Sequence, residues 1–286
     1  MRLLVGPSTT ISIMSTPRIG FCGLGAMGFG MATHLVKTGY AVTGYDVLLS
    51  AMERFVAAGG LPSASLADSA TRKQFYVAMV ASAQQAQPAL FAENGIVKAL
   101  PTGATLLLCS TVPSSYARSV EMGLKDVGRD DIFLIDAPLS GGAVRSATGE
   151  LSVMVGASAA AIKQAGWLLE KISAPSRLFI VDGGIGAGSN MKMVHQVLAG
   201  IHILAVSEAY GFGARLGLGR QDVHEAVVKS EAWSWMFENR SKRVLQEDYS
   251  PGGSAVSIIL KDMVSFSMAC QTLCKSCSVF ITSTRP

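Results

Sequence analysis

Charge is scarce in this chain. Asp, Glu, Lys and Arg make up 15% of 286 residues, and the formal net charge is only +4. So small and scattered an excess does not build the basic patch that nucleic acid demands. Cysteine is also sparse: five residues, at 22, 109, 270, 274 and 277. An odd number without a secretory framework points to a reducing compartment. Long unbroken apolar runs are missing as well. Uncharged stretches such as Phe75 to Ala92 are interrupted by Gln84, Gln85, Gln87 and Pro88, so no membrane span and no membrane partner is expected. No internal repeat is visible. What the chain has in quantity is hydrophobic residues, 49% of the total, over a length that allows two domains and a sizeable core.

The most informative stretch runs from Arg18 to Asp46. Ile19 to Cys22 reads as a buried strand, Gly23-Leu24-Gly25-Ala26-Met27-Gly28 follows at once, and Met27 to Lys37 has helical spacing. A second apolar run, Tyr40 to Tyr45, ends at Asp46. Dinucleotide binding needs each part: Gly23 for a tight strand-to-helix turn, Gly25 for close approach of a pyrophosphate, and Gly28 for packing of helix on sheet. The helix start offers free N–H groups and the positive end of its dipole to phosphate. Asp46 stands where a carboxylate can accept both ribose hydroxyls. It would also repel a 2′-phosphate, and no Arg follows before Arg54, so NAD is favoured over NADP. The competing reading is that Asp46 simply caps the next helix.

Beyond this turn, Leu48 to Ala58 is helical and stops at Gly59-Gly60. Short apolar strands are expected at Phe75 to Ala81, Thr105 to Cys109, Ile132 to Ala137, Leu151 to Val155 and Leu178 to Val181. Helical stretches such as Ser115 to Lys125 and Ser158 to Ile172 alternate with them, which predicts a parallel sheet covered on both faces. After the Gly-rich segment 182–188 the strand patterns stop. A long helix reaching Leu216 is expected, with Val194, Val197, Leu198, Ile201, Leu204, Ala205, Glu208 and Phe212 mainly on one face. Further helices are read at Asp222 to Ser230, Trp233 to Leu245 and Ala255 to Cys270. The expected fold is therefore α/β: an extension at 1–17, a doubly wound NAD-binding domain at 18–182, and an all-helical domain at 183–286. Residues 1–17 are faintly like a mitochondrial presequence, although Met14 is an equally good start.

In open α/β sheets the ligand lies beyond the carboxyl ends of the strands. Three stretches qualify. Ser110-Thr111-Val112-Pro113 could contact the nicotinamide or its ribose, or Ser114 could merely cap a helix. Asp136-Ala-Pro-Leu-Ser140-Gly141-Gly142 presents a hydroxyl and backbone donors suited to a carboxylate, or it is an ordinary turn. In the third, Lys192 and Gln196 share a helical face near a Gly-rich helix start. A partly desolvated lysine there would have a lowered pKa and could exchange a proton with a substrate alcohol; the alternative is a solvated surface lysine. Arg240 could meet a substrate carboxylate or a surface ion-pair partner. Trp235 and Phe237 read as core or dimer contacts, and His195 and His202, near the same stripe, as helix-packing groups or as groups that support the site from behind.

These three stretches, in this order behind the dinucleotide turn, resemble the β-hydroxyacid dehydrogenase family over roughly residues 17 to 264. Its members include 3-hydroxyisobutyrate, tartronate semialdehyde and L-threonate dehydrogenases. The resemblance implies that DAPLSGG is a substrate-binding signature, that Lys192 is the catalytic lysine, and that Lys261-Asp262 is a C-terminal pair beside the cofactor. Thr111 and Lys261 then join Gly23 to Gly28 and Asp46 in holding NAD, while Ser140, Gly141, Gly142 and Gln196 hold the substrate. The stretches 192–202, 234–240 and 248–251 are most similar to the L-threonate branch, which implies NAD-dependent oxidation of a four-carbon sugar acid at its 2-hydroxyl. A 3-hydroxyisobutyrate or tartronate semialdehyde type of activity is the alternative within the family. The expected assembly is a homo-oligomer, dimer or tetramer, in the cytoplasm, or in mitochondria if residues 1–17 are a presequence.

After Met263 the likeness stops. Cys270, Cys274 and Cys277 have iron–sulfur spacing without a suitable scaffold, and no fourth ligand follows for zinc, so no metal is expected. A divergent C-terminus would leave the long helix partly uncovered, dependent on a partner subunit, or the protein a catalytically dead dinucleotide binder.

Overall fold

The computed structural model describes residues 16–248 and 259–264. The expectations for the extension up to residue 15, for Cys270, Cys274 and Cys277, and for most of the helix at Ala255 to Cys270 lie outside the described residues; 259–264 is helical.

Six parallel strands form the central sheet: β1 (Arg18–Cys22), β2 (Ala41–Tyr45), β3 (Leu61–Pro62), β4 (Phe75–Ala78), β5 (Thr105–Leu108) and β6 (Phe133–Asp136). They lie in the order β3-β2-β1-β4-β5-β6, the doubly wound arrangement that binds a dinucleotide where the winding reverses, here between β1 and β4. Registers such as Ile19 with Val42 and with Phe75 bring the strand ends level at that point. Every residue of β4 and β5 is buried, because helices cover both faces. Side chains alternate along each strand, so Leu107 enters one core with Ile19, Phe21, Leu35, Phe55 and Leu168, while Leu106 and Leu108 enter the other with Tyr76, Leu90, Ile96 and Val120.

The covering helices follow in chain order. They are α1 (Gly28–Lys37), α2 (Leu49–Ala57), α3 (Leu66–Ala70), α4 (Ala83–Phe91), α5 (Ile96–Ala99) and α6 (Ser114–Asp126). Ser65 and Ser82 cap α3 and α4 by accepting from the backbone N–H of Asp68 and Gln85.

Beyond β6 the sheet departs from the all-parallel expectation. β7 (Leu139–Ser140), α7 (Gly142–Ser146), β8 (Leu151–Ala157), α8 (Ala159–Ile172) and β9 (Ser173–Ile180) follow. β8 runs antiparallel to both β6 and β7, and β9 is parallel to β8. The link from β6 to β8 holds only a two-residue strand and a five-residue helix, too little for the crossover that a parallel neighbour needs. Apolar runs in a sequence carry no strand direction.

Among the described residues no strand follows Ile180. The 29-residue α9 (Ala187–Arg215) runs out from the sheet and is flanked by α10 (Arg220–Val228) and α11 (Trp235–Leu245). Its start is pressed against the sheet through two glycines. A Cβ on Gly188 would lie 2.4 Å from the Met154 carbonyl oxygen and 2.7 Å from that of Asp136. One on Gly156 would lie 2.4 Å from the Gly184 carbonyl oxygen.

Further along, Val194, Leu198, Ile201, Leu204 and Phe212 are exposed, whereas Lys192, Gln196, Ala199, Val206 and Gly213 face inward. The apolar stripe seen in the sequence is thus turned outward in the single chain, and the packed face carries Lys192 and Gln196 near its start and Ala199, Val206 and Gly213 further along. Phe237 is buried and stacks on Tyr210 with ring centroids 5.9 Å apart, while Trp235 is half exposed under the Arg145 guanidinium. By length and composition alone α9 is long and apolar enough to cross a membrane, an 18-residue window of it having a mean hydropathy of 1.4. Length and composition do not separate such a helix from one that packs against a sheet, and the start of α9 is held on β6 and β8.

The close approach predicts opposite outcomes for two helical glycines. Gly188→Ala forces backbone apart and should cost roughly 1–3 kcal/mol in denaturant unfolding. Gly166→Ala in α8 meets nothing within 4 Å and should be neutral or stabilising, by up to about 1 kcal/mol. Equal effects at the two sites would contradict the packing described.

Candidate active site

The turn after β1 is built for close approach. Gly23 has φ +87°, and a Cβ there would lie 2.2 Å from the Met79 carbonyl oxygen. A Cβ on Gly28 would meet the Gly23 carbonyl oxygen at 1.9 Å, whereas nothing lies within 4 Å of the corresponding point on Gly25. Gly25 therefore leaves open space in front of Ala26, Met27 and the start of α1. That start has no side-chain cap and no acid in its first turn, which leaves it suited to an anion.

Asp46 has a double hold. Its Oδ2 accepts from Leu24 N–H at 2.6 Å and its Oδ1 from Leu48 N–H at 2.9 Å. The carboxylate thus ties the glycine turn to the approach of α2, although α2 itself has no side-chain cap. Each oxygen keeps a lone pair for a ribose hydroxyl. A cavity of about 640 Å³ opens beside it, lined by Asp46, Val47, Leu49, Met52 and Pro62 among others. Exposed Val47, Leu48 and Leu49 offer apolar surface there. Open space at Gly25, uncapped amides at α1, and a carboxylate at the end of β2 fit a dinucleotide: pyrophosphate on the turn, ribose on Asp46, adenine in the cavity.

Ser110 behaves otherwise than expected. It is fully buried, and its Oγ accepts from Val80 N–H at 3.0 Å, stitching the ends of β4 and β5 together. It is not available to a nicotinamide. Ser114 does not cap α6 either; its Oγ accepts from Arg118 at 3.2 Å. Thr111 contributes its carbonyl, which with that of Ala81 accepts from Lys261 Nζ, both at 3.0 Å. The Lys261 ammonium therefore sits over the carboxyl ends of β4 and β5, and it is also 3.1 Å from Asp262 Oδ1.

Asp136, at the end of β6, proves to be the anchor of α9. Its Oδ2 accepts from the N–H of Gly186 at 3.1 Å and of Ser189 at 2.8 Å, and its Oδ1 from Ser189 Oγ at 2.7 Å. Gly186 enters the helix at φ +94°, a conformation that suits glycine. Burial raises the Asp136 pKa, opposed by the bonds from Ser189 and Gly186 and by Arg118. Sequence reasoning counted Asp136 only as part of the DAPLSGG stretch; its position at a strand end, fifty residues before a helix start, was the available signal.

One turn further along α9, Lys192 is 4% exposed and makes no ion pair among the described residues. Burial lowers its pKa to about 8, with the Asp262 charge opposing and that of Lys261 assisting. Gln196, on the same face, donates from Nε2 to Asp262 Oδ2, while its Oε1 lies 3.0 Å from His195 Nδ1. Both ends of the amide are engaged, so it has less freedom to meet a substrate than its spacing suggested. His195 Nε2 lies 3.1 Å from Ser140 Oγ. Of the two readings of this imidazole, packing or support, the contacts match support: it bridges Ser140 to α9. Gly141 and Gly142 follow at φ +143° and +71°, and no atom lies within 4 Å of where a Gly142 Cβ would be.

Ser140, Lys192, His195, Gln196, Lys261 and Asp262 therefore form one cluster over the strand ends. Arg240 stands outside it, half-buried on α11, its pKa lowered by burial and by Arg243. Cys22 and Cys109 are buried free thiols, and burial pushes the Cys22 pKa up to about 12, so neither is a nucleophile.

Two family profiles and several known proteins match the chain. The profile of the NAD-binding domain of 6-phosphogluconate dehydrogenase matches residues 18–186. That described as NAD-binding of NADP-dependent 3-hydroxyisobutyrate dehydrogenase matches 186–280. The L-threonate dehydrogenase of Cupriavidus necator is 38% identical over 245 residues, 86% of this chain and 80% of that protein. The NAD-dependent L-serine dehydrogenase of Pseudomonas aeruginosa is 30% identical, covering 86% and 83%. A crystal structure of 3-hydroxyisobutyrate dehydrogenase from Salmonella typhimurium superposes with a TM-score of 0.84 at 32% identity, covering 93% of this chain and 91% of that one.

The lowered Lys192 pKa has a consequence for stability. Between about 8 and the ordinary value of 10.5 the unfolded chain binds the proton that the folded chain gives up, so stability rises with pH across that window. At neutral pH the buried ammonium is a cost. Lys192→Met should raise stability at pH 7 by up to about 3 kcal/mol, and the gain should shrink as pH climbs from 8 towards 10. A gain that does not change with pH, or a loss at pH 7, would contradict the assignment.

Proposed function

The chain belongs to the 3-hydroxyisobutyrate dehydrogenase-like family of NAD(P)-dependent oxidoreductases acting on CH–OH donors, and we propose that within it the protein oxidises a four-carbon sugar acid such as L-threonate to the 2-oxo acid, with NAD as its cofactor. The observation that carries this is the buried Lys192, without an ion pair among the described residues, held one helical turn beyond the Asp136 anchor and on the same helix as the His195 that meets Ser140. A lysine at such a place costs the fold stability and has the perturbed pKa of a group suited to proton transfer.

NAD, when bound, supplies the hydride acceptor. The turn from Gly23 to Gly28 holds its pyrophosphate, Asp46 its ribose, and Thr111 and Lys261 border the reacting end. Asp46 supports NAD over NADP because a 2′-phosphate would face its charge. The Ser140–Gly142 turn receives the acid, and open backbone at Gly142 lets it come close. Lys192, with its pKa at about 8, is partly neutral near physiological pH and accepts the hydroxyl proton at Nζ; the same group returns it in the reverse direction. Asp262 and Lys261 balance the charge that forms, one attracting and one repelling the ammonium. The outward apolar stripe of α9 supports the expected homo-oligomer, and the free buried thiols suit a reducing compartment.

The test is formation of reduced cofactor, with NAD and with NADP, on L-threonate, D-erythronate, glycerate and 3-hydroxyisobutyrate. Selective turnover of a four-carbon acid with NAD is expected. Lys192→Ala should lower kcat at least about a hundredfold while leaving the Kd for NAD in place. Preference for a three-carbon or branched acid, or wild-type turnover in Lys192→Ala, would overturn the reading.

A further inference from the structure

The hydrogen bonds around Gln196 can be followed donor by donor, and they assign a direction to every one. Asp262 is ion-paired to Lys261, so its carboxylate accepts. The group of Gln196 that faces Asp262 Oδ2 must therefore be the NH₂, which turns the amide oxygen towards His195. An amide oxygen cannot donate, so His195 Nδ1 carries a hydrogen. Lys192 lies close by on the same helix, and burial and that neighbouring positive charge both lower the His195 pKa, which keeps the imidazole neutral. A neutral imidazole with hydrogen on Nδ1 has a bare Nε2. That nitrogen can only accept, and its partner at 3.1 Å is the hydroxyl of Ser140.

We propose that His195 is a positioning and specificity-determining residue, which takes the Ser140 hydroxyl hydrogen on its Nε2 and so leaves Ser140 Oγ facing the substrate as an acceptor. This rests on the hydroxy-acid reading above and deepens it. An acceptor at Oγ repels a carboxylate and receives an O–H. The carboxylate is left to the backbone of Gly141 and Gly142, and Ser140 meets a hydroxyl of the substrate. The substrate class is thereby narrowed to acids with a second hydroxyl within reach, polyhydroxy acids and not alkyl-substituted ones. The chain Lys261–Asp262–Gln196–His195–Ser140 makes that preference depend on residues from three parts of the fold, which is why spacing alone does not reveal it.

Two measurements test this. The first does not need turnover: ¹⁵N–¹H correlation of the imidazoles in the NAD-bound full chain at about pH 7.5. Four histidines are present, and the His195 signals are those lost in His195→Leu and in His195→Gln. The neutral Nδ1–H tautomer is expected, the minor form in water. The Nε2–H tautomer or an imidazolium would overturn the proposal. The second is the ratio of kcat/KM for L-threonate over 2-hydroxybutanoate, which lacks the distal hydroxyls. His195→Leu should reduce this ratio about tenfold, mainly through the KM for L-threonate. His195→Gln, whose amide oxygen can still accept from Ser140, should keep most of it. An unchanged ratio in His195→Leu would overturn the proposal. Wild-type silence on every hydroxy acid, with His195 as Nδ1–H, would defeat the functional reading while the hydrogen-bond assignment stood.

Discussion

The carboxylate of Asp136 on the first turn of α9 is the contact on which the site depends. It is wholly buried and accepts three hydrogen bonds from the helix start, two of them from backbone N–H groups that have no partner within the helix. Because Asp136 ends β6, this contact joins the carboxyl edge of the sheet to the helix that carries Lys192 and Gln196. The glycines at 156 and 188 let backbone touch backbone there. A carboxylate at a helix N-terminus is also favoured by the dipole, which offsets part of the cost of burying it.

That anchorage lets the protein hold an unfavourable group. A buried ammonium is expensive, and the chain keeps one at Lys192 with no ion pair among the described residues, tempered by Asp262 and exposed to the like charge of Lys261. The same two residues serve the two halves of the site differently. Lys261 binds the carbonyls at the ends of β4 and β5, and Asp262 orients Gln196 and through it His195. Cofactor edge and substrate edge are tied by one lysine–aspartate pair on a short helical segment at 259–264.

Much of the fold could be read from residues alone. Strand, glycine turn, helix and acid between Arg18 and Asp46 announce themselves by period and by glycine chemistry, and α6, α8 and α9 lie within a few residues of where apolar spacing put them. What escaped depends on direction and on distance in space. The antiparallel return of β8 follows from how little chain links it to β6. The outward stripe of α9 has the same period as a buried one, so spacing could not tell which side faces the sheet. Ser110 looks like a cofactor contact until Val80 N–H is seen to occupy it, and the bridging role of His195 appears only when Ser140 is brought beside it.

The central claim is that Lys192 is the proton acceptor and that burial sets its pKa. The pH dependence of kcat/KM for hydroxy-acid oxidation reports the free enzyme's ionisations and tests this directly. The account predicts a rate that rises with pH, is half-maximal near 8 and levels off above it, as the buried lysine loses its proton. A profile flat from pH 6 to 9, or one that rises only towards the ordinary lysine value of 10.5, would contradict it.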